Sequence, residues 1–153
     1  MLTRARIAVL VSGGGTNLEA LLRSQERGNL AHGEIVLVCA SRPGVYALTR
    51  AANHGVPGVV VERSGKSQEC FETELQEHLL RCKADVIVLA GFLSILSADF
   101  VRRWPNRIVN VHPSLIPSFC GKGYYGLRVH EAALERGVKV TGATVHLVNE
   151  IPD

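Results

Sequence analysis

The stretch RIAVLVSGGGTNLEALL, residues 6–22, joins a strand pattern to a helix pattern through three consecutive glycines. RIAVLV is a short continuous apolar run, which is typical of a strand buried on both faces. Over residues 16–26 the leucines recur at helical spacing, behind a TNLE capping box in which Thr16 caps the helix and Glu19 reaches back. The stretch therefore predicts a strand, a tight glycine loop and a helix that begins at the end of the loop.

The same alternation of strand and helix patterns continues along the chain. Four further β-branched runs follow, namely EIVLVC (34–39), GVVV (58–61), DVIVLA (85–90) and RIVNV (107–111). A helix pattern covers residues 67–82, and two more helices are expected to end at the glycines of AANHG and ALERG. TVHLV indicates one more strand. Such alternation is typical of right-handed βαβ units. We therefore predict an α/β fold, a Rossmann-like three-layer αβα arrangement around a mostly parallel central sheet, with ligands outside the carboxyl ends of the strands.

Composition limits the class of protein. The 153 residues, of which 46% are hydrophobic, are enough for one core and too few for two ordinary domains, so we expect a single domain over residues 1–153. The net charge of +3 is spread without a block of like charges, which argues against nucleic-acid and membrane surfaces. The four cysteines form no C-x-x-C and the N-terminus lacks a secretory pattern, so free thiols and a cytoplasmic location are expected.

The glycine loop SGGGTN, residues 12–17, is a candidate anion site because exposed amides at a helix start attract negative charge. A dinucleotide site is disfavoured, since the last glycine of G-x-G-x-x-G would fall on Leu18 and the second strand ends without an acidic residue. The loop is better suited to a monophosphate bound by Gly15, Thr16 and Asn17. An ordinary glycine-rich turn is the alternative.

Asn110 and His112 stand two residues apart at the end of the strand RIVNV, where a proline follows. Side chains two apart in a strand project from the same face, and Pro113 keeps His112 extended at the rim of the sheet. A carboxamide can donate a hydrogen bond to an oxyanion, and an imidazole can donate or relay a proton near neutral pH. The pair is a candidate catalytic site, although polar residues at strand ends also serve simply to satisfy backbone groups.

Two further features are weaker candidates. His146 in TVHLV would lie near the site or be a satisfied buried histidine, while His54 and His78 are expected to be structural or solvated. The loop SFCGKGYYG, residues 118–126, combines three glycines with two tyrosines and a lysine. We interpret it as a mobile lid over the substrate, with a plain surface loop as the alternative.

Four segments together carry a family resemblance: VSGGGTNLEALL, VIVLAGFLSILS, IVNVHPSLIPSFCGKGYYGLRVHEAAL and VTGATVHLVNEIPD. From Arg6 to Asp153 the sequence resembles the glycinamide ribonucleotide formyltransferases, folate-dependent enzymes of purine synthesis. N-x-H-P-S-L-(L/I)-P is typical of formyltransferases that use 10-formyltetrahydrofolate, and S-G-x-G-(S/T)-N is typical of the member with a ribose phosphate substrate. The resemblance implies the following site residues: catalytic Asn110, His112 and Asp153; phosphate-binding Gly15, Thr16 and Asn17; folate-binding Leu89, Phe92, Leu93, Ser94, Ile95 and Leu96.

The resemblance also implies the reaction and the ligands. The primary amine of glycinamide ribonucleotide would attack the formyl carbon on N10 of 10-formyltetrahydrofolate, the co-substrate. Asn110 and His112 would hold the oxyanion, and Asp153 would orient the imidazole and favour its protonated form. We expect a cytoplasmic monomer or homodimer with two small-molecule substrates and with no metal, nucleic acid or membrane partner.

Other functions stay open at this point. A hydrolase that releases formate and a formyltransferase acting on methionyl-tRNA use the same co-substrate. The hydrolase reading is weakened by the absence of a preceding regulatory domain, and the tRNA reading by SGGGTN and the lack of a basic second domain. A module that binds a nucleotide without chemistry is the third class.

Two departures from the family pattern bear on these expectations. Many members carry an arginine where this sequence has Ser94, so contacts of that arginine to folate are not expected here. Members of the family also continue for a further strand and helix beyond the position of Asp153. We therefore expect a C-terminal part of the domain, which would complete the edge of the sheet, to be missing from this sequence.

Overall fold

A computed structural model describes residues 3–151 of the chain. Strands and helices alternate, as the apolar runs and helical periodicities predict. The strands are β1 (Ala5–Val11), β2 (Gly33–Ala40), β3 (Gly58–Val60), β4 (Val86–Leu89), β5 (Ile108–His112) and β6 (Thr144–Leu147). The helices are α1 (Thr16–Glu26), α2 (Tyr46–Asn53), α3 (Gln68–Arg81), α4 (Ala98–Arg103) and α5 (Leu127–Arg136).

The six strands form one sheet in the order β3-β2-β1-β4-β5-β6. The first five strands pair in parallel, and β6 pairs with β5 in the antiparallel sense. The prediction of a mostly parallel α/β sheet is therefore confirmed. The chain runs outward from β1 to β3 and then crosses to β4 on the other side of β1. This reversal puts a topological switch point between the carboxyl ends of β1 and β4, where ligands of open α/β sheets bind.

Helices cover the sheet on both faces and so form the predicted three layers. On one face, α1 and α2 bury Leu18, Leu22 and Ala51 against Val9 and Val11 of β1. On the other face, aromatic and aliphatic side chains of α3, of α4 and of the residue after α4 pack on β1, β4 and β5. These include Phe71, Leu75, Leu79, Phe100 and Trp104, set against Ala8, Leu10, Ile87 and Ile108. Each fully buried large apolar side chain contributes about 1.5–3 kcal/mol, so the two cores fix the sheet between its helices.

The structure departs from the sequence expectations at two helix starts. The predicted capping box is wrong: Gly15 is the N-cap of α1, in the left-handed conformation, and no side chain caps this helix. Glu19 instead accepts from Arg23 and contacts Arg50, because three basic groups surround its carboxylate. Helix α4 was not predicted; it begins after Ser97, whose side chain accepts a hydrogen bond from the amide of Phe100.

The structure agrees with the expectation of free thiols. The cysteines that are free are Cys39, Cys70, Cys82 and Cys120. Burial raises the pKa of the Cys39 thiol to about 12, so this cysteine stays protonated in the core.

None of the helices within residues 3–151 is both long enough and apolar enough to cross a bilayer.

Candidate active site at the switch point

The glycine loop follows β1 and leads directly into α1. Gly15 has φ 75°, and a Cβ at this position would lie 2.7 Å from Cβ of Ala47, so both the backbone conformation and the space require glycine. Thr16 and Asn17, the first two residues of α1, are exposed. Their amides belong to the first turn, which has no intrahelical acceptor for its N–H groups. The loop therefore exposes backbone amides at a helix start, and its role as an anion site stays a prediction.

Helix α2 holds this loop from behind. The amide of Ala47 donates to the carbonyl of Gly13 at 3.3 Å, and Nε of Arg50 donates to the carbonyl of Gly14 at 2.8 Å. Arg50 also lies 3.2 Å from the carboxylate of Glu19 and stacks over the ring of Tyr46 at 4.8 Å. The glycine loop is thus fixed to both helices on its face of the sheet.

Glu19 is the centre of a small charged cluster behind the loop. A hydrogen bond from Arg23 is the main cause that holds the pKa of the Glu19 carboxyl below its ordinary value. His54, at the end of α2, contacts Glu26 through Nδ1 at 2.6 Å and Glu19 through Nε2 at 3.3 Å. The bond to Glu26 is the main cause that raises the pKa of His54. The expectation that His54 is structural agrees with these contacts.

The segment 91–97, which follows β4, borders the glycine loop across the switch point. Ser12 joins the two: its amide donates to the carbonyl of Gly91 at 3.2 Å, and its hydroxyl accepts from the amide of Leu93 at 2.9 Å. The hydroxyl of Ser12 also lies 2.6 Å from that of Ser41, and both serines are buried. The carboxyl ends of β1, β2 and β4 are therefore tied together at this edge.

Helix α3 holds the other end of the same segment. Glu72 is only 8% exposed, and its carboxylate accepts from the amide of Ser97 and from the hydroxyl of Ser97, each at 2.6 Å. Gln68 donates to Glu72 at 2.7 Å and to the carbonyl of Ile95 at 2.9 Å. The buried carboxylate is thus satisfied by the segment that it fixes.

The six predicted folate-binding residues do not share one environment. Leu89 is 8% exposed and belongs to the core on the α3 and α4 face, so its side chain is part of the packing. Phe92 stacks on Phe71 with ring centroids 6.4 Å apart. Leu93 and Ile95 are 48% and 73% exposed. Two further members of the set, Ser94 and Leu96, are partly buried. The exposed apolar surface of the segment therefore comes mainly from Leu93 and Ile95.

Asn110 and His112 lie on the same face of β5, as the strand periodicity predicts. In the β4–β5 register Asn110 is paired with Leu89, which places it beside the segment 91–97. Across the antiparallel pair, Asn110 faces His146 and His112 faces Thr144. The amide nitrogen of Asn110 lies 3.1 Å from Nε2 of His146. His146, a weak candidate by sequence, thus belongs to the same cluster as Asn110.

His112 is 8% exposed and contacts the loop that follows it. Its Nε2 donates to the carbonyl of Phe119 at 2.8 Å, since a carbonyl only accepts. Phe119 has φ 51°, a left-handed conformation that bulky residues seldom adopt. Nδ1 of the same ring is consequently the nitrogen left to accept a proton. The loop 118–126 is mostly exposed, and its role as a lid stays a prediction.

Two further expectations concern the third catalytic residue and a metal ion. Asp153, the third predicted catalytic residue, lies outside the described residues. Within residues 3–151, no three or more His, Cys, Asp or Glu side chains are grouped so that they could hold a metal ion.

Several residues of this site are not predicted by the sequence patterns. Ser12 belongs to the predicted loop motif, but Arg50, Glu72 and Gln68 belong to no predicted site. Their partners lie far away in sequence, 81 residues for Ser12 with Leu93 and 25 residues for Glu72 with Ser97. One local signal existed: a glutamate on the apolar face of α3, in line with Phe71 and Leu75, is a buried charge that needs partners.

Comparison with known proteins gives matches over nearly the whole chain. Residues 5–153 match a family model described as formyl transferase. A trifunctional purine biosynthetic protein adenosine-3 from Drosophila melanogaster is 44% identical over 149 residues, which cover 96% of this chain and 11% of that protein. A chloroplastic phosphoribosylglycinamide formyltransferase from Arabidopsis thaliana is 36% identical over 149 residues, which cover 96% of this chain and 51% of that protein.

The fold is also similar to that of solved structures. The crystal structure of glycinamide ribonucleotide transformylase 1 from Symbiobacterium toebii superposes with a TM-score of 0.88 at 38% identity. The match covers 98% of this chain and 68% of that one. The chain thus spans about half or less of the length of the two curated relatives and about two thirds of this solved chain.

Proposed function

The chain belongs to the formyl transferase family, and from this premise we propose that it transfers a formyl group from 10-formyltetrahydrofolate to the primary amine of glycinamide ribonucleotide. The products would be formylglycinamide ribonucleotide and tetrahydrofolate, a step of purine biosynthesis. The names of the Arabidopsis and Symbiobacterium relatives point to this substrate.

One observation carries the proposal: three different surfaces meet at the switch point. The glycine loop supplies backbone amides, the segment 91–97 supplies exposed apolar side chains, and β5 supplies Asn110 and His112. The hydrogen bond from the Leu93 amide to the Ser12 hydroxyl joins the segment 91–97 to the glycine loop. The pairing of Leu89 with Asn110 places β5 beside that segment. A phosphate, a flat heteroaromatic ring and a reacting carbonyl are the three chemical features that such an edge can bind together.

The phosphate of the ribonucleotide would bind Gly15, Thr16 and Asn17. Amides at a helix start carry partial positive charge, which favours a phosphate over a neutral group. The apolar part of the co-substrate would lie against Phe92, Leu93 and Ile95. Because Ser94 is not cationic, this contact would be mainly apolar.

Asn110 would stabilise the oxyanion that forms when the amine attacks the formyl carbon. Its carboxamide has two N–H donors, of which His146 accepts one, so the second remains for the oxyanion. His112, with Nδ1 turned away from Phe119, would donate to the same oxyanion or move the proton from the amine to the leaving nitrogen. The negative charge of Asp153 would favour the protonated form of this imidazole. The attack is direct, so this route has no covalent enzyme intermediate.

A formyl-transfer assay with glycinamide ribonucleotide and 10-formyltetrahydrofolate tests the proposal. We expect stoichiometric formation of formylglycinamide ribonucleotide and tetrahydrofolate. Release of formate with either no dependence on the ribonucleotide or no formylated amine would overturn it in favour of a hydrolase. Binding of the ribonucleotide without turnover would favour the non-catalytic alternative.

Three expectations complete the proposal. The whole of residues 1–153 would form a single formyltransferase domain with two small-molecule substrates as its partners. A cytoplasmic location and a monomeric or homodimeric state stay predictions. Light scattering on the purified chain measures the second.

A further inference from the structure

The peptide groups of the glycine loop have a defined orientation. The carbonyls of Gly13 and Gly14 both point toward α2, where Ala47 and Arg50 donate to them. In a trans peptide the N–H points opposite to the C=O. The N–H groups of Gly14 and Gly15 therefore point away from α2, and Gly14 is exposed. An anion at the loop needs this orientation, because a rotated peptide would present carbonyl oxygens to it.

Arg50 is the one side chain among the described contacts that holds these peptides. Its Nε binds the carbonyl of Gly14, while its Nη1 faces Glu19 and its guanidinium plane lies on Tyr46. The side chain is 23% exposed and that of Glu19 is 16% exposed, so the pair is largely shielded from solvent. These three contacts, with the Gly14 carbonyl, the Glu19 carboxylate and the Tyr46 ring, fix the position of the guanidinium. The guanidinium can therefore fix the backbone of the glycine loop in turn.

We propose that Arg50 is a positioning residue that keeps the Gly14 and Gly15 amides turned toward the phosphate group of the substrate, an inference that rests on the proposed function. The role requires the planar fork of arginine. A lysine carries the same charge, but its single nitrogen cannot reach a carbonyl and a carboxylate in the same geometry, and it cannot stack flat on a tyrosine. Charge alone is therefore insufficient for this role.

Arg23 provides a matched control. It binds the same Glu19, through Nε at 2.7 Å, but its side chain is 61% exposed and makes no described contact with the glycine loop. Arg23→Lys and Arg50→Lys therefore change the same residue type beside the same carboxylate. They differ in whether the carbonyl of Gly14 loses its donor.

The first measurement is the affinity for inorganic phosphate, followed by NMR of the backbone amides. We expect Arg50→Lys to weaken phosphate binding by about tenfold or more, the scale of one lost hydrogen bond to a charged group. Arg23→Lys should change the affinity by less than about twofold, as expected for an exposed ion pair. The amide signals of Gly14 and Gly15 should shift in Arg50→Lys and stay in place in Arg23→Lys.

The second measurement separates positioning from general loss of structure. In formyl transfer, Arg50→Lys should raise KM for glycinamide ribonucleotide and leave both kcat and KM for 10-formyltetrahydrofolate nearly unchanged. Equal losses in all three constants would assign Arg50 a merely structural role and overturn the inference. So would an Arg50→Lys variant that keeps wild-type phosphate affinity while Arg50→Gln loses it, because charge alone would then suffice. A wild-type chain that formylates the ribonucleotide without binding phosphate would also overturn the inference, whereas a chain that does neither would overturn the proposed function, on which this role depends.

Discussion

Asn110 and His146 lie directly opposite each other on β5 and β6, with the amide nitrogen of one 3.1 Å from the Nε2 of the other. A carboxamide nitrogen only donates, so Nε2 of His146 is the acceptor and its ring proton is on Nδ1 when the ring is neutral. This bond fixes which end of the Asn110 carboxamide faces the ring. The orientation of the proposed oxyanion donor is thus set by a strand that runs antiparallel to the rest of the sheet.

Replacing Asn110 tests whether this donor acts in the reaction. We expect Asn110→Ala to lower turnover by about 10²-fold or more, the usual scale of a lost oxyanion donor, with only a small change in Tm. Asn53→Ala, at an exposed asparagine at the end of α2, is the control and should leave both quantities unchanged. The rate of formyl transfer and a thermal melt measure the effect. Wild-type turnover in Asn110→Ala would refute the catalytic assignment.

The glycine loop can be tested by comparing two glycines with the same backbone conformation. Gly15 and Gly28 have φ 75° and 76°, but a Cβ would meet Ala47 at Gly15 and nothing within 4 Å at Gly28. Gly28→Ala should cost about 1–2 kcal/mol from the left-handed backbone alone. Gly15→Ala should cost more and should also weaken phosphate binding, because Cα of Ala47 blocks the new methyl group. Urea unfolding gives the comparison, and equal costs at the two positions would contradict the steric account.

Glu72 should control the rigidity of the segment 91–97. Glu72→Gln exchanges one accepting oxygen for an NH2 group that cannot accept from Ser97, so we expect a loss of about 1–3 kcal/mol in stability. Amides of the segment should exchange faster with solvent, and KM for 10-formyltetrahydrofolate should rise. Glu69→Gln, on the exposed side of the same helix, is the matched control. Hydrogen exchange at Ser97 is the direct measurement, and unchanged protection there would exclude this role.

His54 predicts a pH dependence of stability. Because its pKa is raised in the folded chain by the bond to Glu26, its contribution is fully present below the ordinary value of 6.5 and is lost as the pH rises through the raised value. Thermal melts between about pH 6 and 8 should therefore show a falling Tm for the wild type. The fall should be smaller in His54→Gln.

The neighbours of His54 define the control for this experiment. Glu19 and Glu26 on α1 face the ring, and Arg50 shares Glu19 with it. His78→Gln changes a histidine on α3, on the opposite face of the sheet, and should keep the wild-type slope. An identical pH profile for the wild type and His54→Gln would show that the bond to Glu26 does not stabilise the folded chain.

Much of the fold could be read from local patterns. The predicted strands and the helices at 16–26 and 67–82 agree with the structure to within one residue at each end, because buried apolar runs and helical periodicity are strong signals. Helix α4 was missed because six residues are too few for a periodic pattern, although Ser97 before it and Asp99 in its first turn are helix-start signals. The antiparallel direction of β6 could not be predicted, since the residues of a short strand do not encode its direction.

The candidate site was predictable only in part for a related reason. Gly15, Asn110 and His112 carry local signals, namely a glycine that begins a helix and a polar pair that ends a strand. Arg50 and Glu72 contact residues outside their own helices, namely Gly14 and Ser97. The spacing of residues along the chain does not predict such contacts. The side chain of Leu89 packs in the core, so its predicted contact with folate would have to come from its backbone and stays a prediction.

The bond between Ser12 and Leu93 also has a bearing on how the chain acquires its site. It spans 81 residues, and the glycine loop belongs to the first βαβ unit while Asn110 belongs to the last parallel strand. Closing so long a loop costs chain entropy before any contact compensates for it. A chain in which only β1 to β3 have folded would therefore have the glycine loop but neither the segment 91–97 nor Asn110 in place. We expect the ability to recognise both substrates together to appear only when β4 docks on β1, as one of the late events of folding.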